Sequence, residues 1–298
     1  MVVTVGCLAV ATDALGAGRL FDRAVARIDR IIAGPVPDRA TVETVLVTPR
    51  PATAAPSPAR TAPASPSSPV EAPGSAVPNA TPEPTPEPTP ARVPIDLDIA
   101  ADPAGIFASE VRDTWCAPAG VQITLAFLGK ADTSVDFQRE LQSRVHEWES
   151  YSDSHNGDWG PGAMALALDA YGAPGYEVRA YKTRPDALRD AATAIESTGS
   201  PVILLAWRGA HTWVMTGFRA DADPAIFPDA TVAGAYIVDP WYPRVSSIWG
   251  PSDPPGTFQD KSEMVRNYLV WKRPEGRYPN RDGLFIAVVP TVKVIAGD

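Results

Sequence analysis

The chain has 298 residues and a formal net charge of -9 at pH 7, and no cluster of Lys and Arg, which excludes a protein that tracks nucleic-acid phosphates. Its composition is uneven: all eight tryptophans lie after residue 114, and no aromatic residue occurs between Phe21 and Phe107. A stretch without large apolar groups cannot offset the entropy of its own ordering, so composition points to one folded domain with a long appendage.

Residues 1–32 come first. The apolar run Val2–Gly18, interrupted by Asp13, is shorter than the ~20 residues a membrane-spanning helix needs and lacks a basic start. It reads as a signal or membrane anchor whose upstream part is missing, although Arg19, Arg23, Arg27 and Arg30 follow it, a flank that normally stays cytoplasmic. Cys7 is not expected to carry a lipid, because Thr4 replaces the aliphatic residue usual three positions before such a cysteine. Leu20–Ile32 reads as a short amphipathic helix.

Residues 33–94 read as a disordered linker. Thr48–Pro94 is mostly Pro, Ala, Ser and Thr, with the run TPEPTPEPTP at 81–90. Polyproline II at ~3.1 Å per residue makes it a semi-rigid stalk reaching on the order of 140 Å. Such stalks commonly hold a domain away from a membrane or wall, so the expected location is extracellular or at the cell surface.

Residues 95–298 form the expected domain. In DTWCAPAGVQITLAFLG (113–129), Val121, Leu125 and Leu128 recur at helical spacing before Gly129, which predicts an amphipathic helix. Pro118 fits its first turn, and Asp113 or Thr114 is placed to cap it. Cys116 then sits at a helix N-terminus, where orphan N–H groups and the macrodipole favour a thiolate. Val135–Tyr151 predicts a second helix, with His146 among its charges as a surface residue, and Ala163–Tyr171 a third. His155, in the intervening loop, lacks the neighbouring His or Cys that a metal site requires.

The period then changes. Tyr176–Lys182 alternates as a strand, Pro185–Ser197 reads as a helix, and PVILLAW (201–207) is a continuous apolar run of the buried-strand kind. GAHTWVMTGF (209–218), AGAYIVDPW (233–241) and LFIAVVP (284–290) read as further strands. Helices first and strands afterwards predict an α+β domain, a helical layer packed on an antiparallel sheet.

His211 opens one strand and Asp239 closes the next, and adjacent antiparallel strands bring such positions together. A thiol, an imidazole and a carboxylate are the parts of a nucleophile, its base and the group that orients the base. Each also has a structural reading: a buried cysteine, a core histidine, and a turn-forming Asp before Pro.

WCAPAGVQ, GAHTWVMTGF and YIVDPW, in this order between about residues 107 and 290, resemble the papain-like bacteriocin-leader peptidases, family 39 of the cysteine peptidases, in their free-standing form on bacterial surfaces. The resemblance implies a papain-like fold with Cys116 as nucleophile, His211 as base and later acid, and Asp239 as orienting carboxylate. It implies a peptide or protein substrate and no cofactor. In that family a glutamine six residues before the cysteine donates to the oxyanion; here Glu110 stands there. Losing one such donor typically costs ~10²–10³ in rate. A protonated Glu110, a shifted alignment, or another donor beside the Cys116 N–H would each restore the hole. Gln122 reads as structural, and Trp115, Trp213 and Trp241 as candidate walls of the cleft or as core aromatics.

Two rivals remain at this stage. One is a catalytically inactive relative that binds peptide or cell-wall material, which Glu110 favours. The other is acyl transfer of the transglutaminase type, in which a tryptophan commonly follows the cysteine; here Trp115 precedes it. No GxSxG, HExxH or GxxxxGK[ST] signature occurs.

Overall fold

The computed structural model describes residues 17–48, 90–154, 159–272 and 275–294. The expected signal or anchor run and Cys7, the bulk of the Pro-rich stretch, and His155 lie outside the described residues. Helix α1 (Ala17–Ala33) corresponds to the expected amphipathic helix. Its Arg30 Nη1 lies 2.7 Å from Glu149 Oε2, which ties it to the domain. Among the described residues, no helix is long and apolar enough to cross a membrane.

Strand β1 (Thr44–Leu46) lies inside the range expected to be linker, and it pairs in parallel with β3 (Tyr176–Tyr181). Its approach is fixed as well: the Tyr151 N–H donates to Pro37 O at 2.8 Å, and the Arg39 N–H donates to Ser150 Oγ at 3.1 Å. After the Pro-rich segment, β2 (Ile95–Asp98) pairs with β5 (His211–Ala220) of the same sheet. Both flanks of that segment are therefore held by one domain. Strand β1 and the residues leading to it, inside the range 33–94 read as linker, thus contact residues of the 95–298 range.

The predicted helices and strands occur in the predicted order, joined by two 3-10 turns and by a small hairpin, a strand and a helix that were not predicted. They run α2 (Cys116–Phe127), α3 (Val135–Ser143), a 3-10 turn (Val145–Glu147), α4 (Pro161–Ala170), β3, α5 (Arg184–Thr198) and β4 (Val202–Ala206). Next come a 3-10 turn (Trp207–Gly209), β5, β6 (Val232–Val238), a small hairpin of β7 (Val245–Ser246) and β8 (Gly250–Pro251), β9 (Thr257–Asp260), α6 (Lys261–Asn267) and β10 (Phe285–Pro290). The single helix expected over Val135–Tyr151 is thus broken at Arg144. The main sheet has the order β1-β3-β10-β4-β5-β6-β9, antiparallel throughout except for the β1–β3 pair. The fold class is α+β, as predicted.

The sheet is covered on both faces, where the sequence predicted one helical layer. Alternation along β4 shows why: Ile203 and Leu205 pack with Val121 and Leu125 of α2, Leu141 of α3 and Leu168 of α4. Val202, Leu204 and Ala206 face the other way, against Leu188 and Ile195 of α5 and Met264 of α6. A strand buried on both sides reads as a continuous apolar run, and VILLA is one.

Candidate active site

Helix α2 delivers Cys116. Its residues Ala117–Leu125 are all buried, so it is a core helix and not the amphipathic one expected. Its polar members are satisfied inside the protein. Gln122 Nε2 donates to the carbonyls of Asp132 (2.9 Å) and Ser134 (2.8 Å), and Thr124 Oγ1 donates to Gly120 O at 2.9 Å. Gly120 lets the helix lie directly on β5, because a Cβ there would come 2.3 Å from Cγ2 of Thr212. The N-cap is Trp115, with no side-chain capping bond among the described residues. Neither Asp113 nor Thr114 fills that role; Asp113 pairs instead with Arg244 Nη1 at 3.0 Å. Cys116 is therefore the first helical residue, and its N–H has no intrahelical acceptor.

The strands supply the other two groups. His211 starts β5 and Asp239 follows the end of β6, whose Val238 pairs with Val214. His211 Nε2 lies 2.7 Å from Asp239 Oδ1, and the same oxygen accepts the Trp241 N–H at 2.8 Å. Both side chains are buried. With Nε2 committed to the carboxylate, Nδ1 is the nitrogen left to serve another group. The half-buried thiol of Cys116 donates to Ala210 O at 3.8 Å, next to the histidine.

Glu110 completes the cluster. One ligating atom each from Glu110, Cys116 and His211 lie within 4.8 Å of one another. Glu110 is only 1% exposed, and its Oε2 has no hydrogen-bond partner among the described residues. Its backbone is held at both ends: the N–H donates to Pro240 O at 2.9 Å, and the carbonyl accepts from Arg244 Nη2 at 2.7 Å. Gln138 fixes the next residues through the Val111 N–H (2.7 Å) and Ser109 O (3.1 Å), and itself donates to Gln122 Oε1 at 3.0 Å. The side chain is thus delivered to the thiol by an irregular segment whose backbone is pinned on both sides.

Electrostatics here disfavour negative charge. Burial pushes the Cys116 thiol up to about 12, and the Glu110 and Asp239 carboxylates add to the rise against hydrogen bonds with Thr212. Burial likewise pushes the Glu110 carboxyl well above its usual range; Arg244, 3.4 Å from Oε1, opposes this, and Asp239 and Asp113 reinforce it.

The three tryptophans expected around the cleft divide. Trp241 meets the His211 ring edge to face at 6.3 Å between centroids. Trp213 is a core residue on the α5 and α6 side. Trp115 lies beneath the Arg112 guanidinium, 5.2 Å from its carbon. The residue that covers His211 is Trp207, stacked on it at 4.0 Å and 20°. Trp207 and Arg208 adopt positive φ of 49° and 64°, and the Trp207 indole N–H donates to Asn267 Oδ1 at 3.0 Å. Left-handed backbone at a bulky residue is strained and persists where the surroundings hold it. Trp249 stacks on Trp207 in turn, at 5.8 Å and 7°. Sequence reasoning took Trp207 as the end of an apolar strand; the one signal available was Gly209 two residues on. His146 is exposed, as expected.

No protein-family model matches the chain, and no curated protein matches it. Among solved structures, the chain is similar to a double-glycine motif protease from an AMS/PCAT transporter, crystallised in complex with the leader peptide. The identity is 20% and the TM-score 0.31, over 62% of this chain and 91% of that one. A likeness this loose leaves the chemistry of the site to be read from this chain's own side chains.

Proposed function

We propose that the domain is a cysteine hydrolase that cleaves an amide bond of a peptide through a thioester on Cys116. The observation that carries the reading is the position of His211, bonded through Nε2 to Asp239 at 2.7 Å and with a ring nitrogen within 4.8 Å of the Cys116 thiol. In the resting site the thiol is neutral, since burial pushes it up to about 12. His211 therefore takes the proton as Sγ attacks the carbonyl carbon, acting as general base in the same step. The carbonyl π electrons move to oxygen, and that oxyanion meets the Cys116 N–H at the positive end of α2. Asp239 holds the imidazole in orientation and stabilises its charged form. When the tetrahedral intermediate collapses, the C–N bond breaks and His211 returns the proton to the leaving amine. Water, deprotonated by His211, then hydrolyses the thioester. Glu110 occupies the other side of the oxyanion; as a neutral acid its O–H donates there, and as a carboxylate it repels the charge.

A second reading is a peptide-binding module that no longer cuts. The raised thiol and the carboxyl group at the oxyanion position favour it.

The test is covalent labelling by a peptidyl epoxysuccinate, followed by intact mass. A hydrolase gives one adduct on Cys116 and loses at least tenfold in labelling rate in His211→Ala. No adduct, or equal rates in the two proteins, would overturn it and leave the binding module.

A further inference from the structure

The cluster that the proposed chemistry uses sets a buried carboxyl group beside a thiol and an imidazole, which is also a set of metal-ligand types. We propose that Glu110, Cys116 and His211 form a binding site for Zn²⁺, with a thiolate, an imidazole nitrogen and a carboxylate oxygen as its protein ligands. Cys, His and Glu are all ordinary zinc ligands, and three of them with one position left to water is the usual make-up of an open site. The three ligating atoms already lie within 4.8 Å of one another. Tetrahedral zinc at ~2.0–2.3 Å from each donor requires them about 3.3–3.7 Å apart, a contraction of up to about 1.5 Å that side-chain torsions supply.

Two further observations point to a cation. Glu110 Oε2 is buried and has no partner among the described residues, and a carboxylate oxygen of this residue lies within 4.8 Å of the thiol; a buried polar atom of this kind calls for a missing partner. The second is Asp239. A histidine that ligates zinc through one nitrogen almost always gives its other N–H to a carboxylate or carbonyl, and His211 Nε2 is bonded to Asp239 Oδ1 at 2.7 Å. That contact leaves Nδ1 for the metal. Cys116 is a half-buried residue at the edge of the core. On binding, the S–H bond breaks, its proton is released to solvent and sulfur donates the electron pair to zinc; a protonated Glu110 releases its proton in the same way.

Zinc binding rests on the geometry alone. Its consequence rests on the proposed hydrolase: a sulfur held as a ligand is no longer a nucleophile, so the cation silences the site reversibly.

The experiment uses the full chain and Zn²⁺ itself. The chain is titrated against a chromophoric chelator, and Cys116 alkylation at pH 8 is followed with and without the metal. One Zn²⁺ per chain is expected, with Cys116 protected and released again by excess chelator. Glu110→Gln should bind at least tenfold more weakly, and a His146→Ala/His155→Ala variant should bind like wild type. Because a variant that misfolds would also lose binding, Co²⁺ is added to the wild-type chain as well. A near-ultraviolet thiolate-to-cobalt band, absent in Cys116→Ser, is expected. No protection of Cys116, wild-type affinity in Glu110→Gln, loss of binding in the His146→Ala/His155→Ala variant, or no cobalt–thiolate band would each overturn the site. A chain that binds zinc but takes no peptidyl label would overturn the hydrolase and leave the zinc site standing.

Discussion

Gly120 of α2 and Thr212 of β5 meet with no room for a methyl group: a Cβ on Gly120 would lie 2.3 Å from Thr212 Cγ2 and 3.3 Å from its Cβ. This contact sets the height of α2 above the sheet, and with it the position of Cys116 beside His211. In an exposed helix, Gly→Ala gains up to about 1 kcal/mol. Here Thr212 is buried and β-branched, and cannot move aside. Overpacking should win, and Gly120→Ala should lose about 1–3 kcal/mol in urea denaturation. Thr212→Ser in the same chain removes the clashing carbon and should restore most of the loss. A single variant as stable as wild type would show that the contact is not closed.

The Cys116 thiol should react as a neutral thiol at rest. With burial pushing it up to about 12, its iodoacetamide rate should climb about tenfold per pH unit between 7 and 10, in step with the thiolate fraction. An acid-side plateau near pH 6 would mean an ion pair with His211 already formed, contrary to the resting state described above.

Glu110 makes a stability prediction of definite sign. Its carboxyl is raised in the folded chain, so the folded state binds its proton more tightly than the unfolded state does. Its contribution is fully present below the unfolded value of about 4.3 and is lost as pH rises through the folded one. Glu110→Gln removes the titration and leaves Arg244 paired with Asp113. The variant should therefore melt above wild type at pH 8, with the gap closing toward pH 4. For a domain of this size each kcal/mol moves Tm by about 2–4 °C. A gap that is constant with pH would contradict the raised carboxyl.

What could be read from the sequence divides along the range of the interactions involved. Cys116, His211 and Asp239 carry local signals: a cysteine before a helical run, a histidine after a Gly turn, an aspartate before proline. The described structure puts them within one cluster. Gln122 is structural, as its sequence context suggested, and bonds backbone carbonyls; the helix was read as amphipathic because Val121, Leu125 and Leu128 mark one apolar face and nothing local shows that the other face is buried too. β1 was missed because Thr44–Leu46, although β-branched in part, is only three residues long beside a Pro-rich run, and its pairing with Val178–Ala180 is distant in the chain. Trp207 was hidden for a similar reason: its role depends on a left-handed backbone held by Asn267, far along the chain.

Trp207 should act by positioning His211, stacked on it at 4.0 Å. Trp207→Ala frees the ring to rotate away from Asp239 and admits water to their hydrogen bond. Peptidyl labelling of Cys116 should slow by about tenfold, the scale of a misplaced base. Trp207→Phe keeps an aromatic face over the imidazole and should recover most of the rate, even though it loses the bond to Asn267. Equal slowing in both variants would indicate a purely structural role.

The last prediction concerns the ion pair that closes the far end of the helical layer. Asp153 and Arg281, 1% exposed each, meet at 2.6 Å between Oδ1 and Nη2. Asp153 also accepts the N–H groups of Gly162 (3.1 Å) and Ala163 (2.9 Å), the orphan donors at the start of α4. Arg281 donates to Asp153 O at 3.0 Å and to Thr44 Oγ1 at 3.0 Å, joining β1 to the same point. Removing one partner leaves the other charged and buried, which costs about 3–5 kcal/mol, so Asp153→Ala should be strongly destabilised. Asp153→Asn keeps an acceptor for the α4 amides and should lose less. Arg281→Met/Asp153→Asn, which removes both charges, should be more stable than the two single losses added together. Additive losses in this cycle would show that the pair is not coupled.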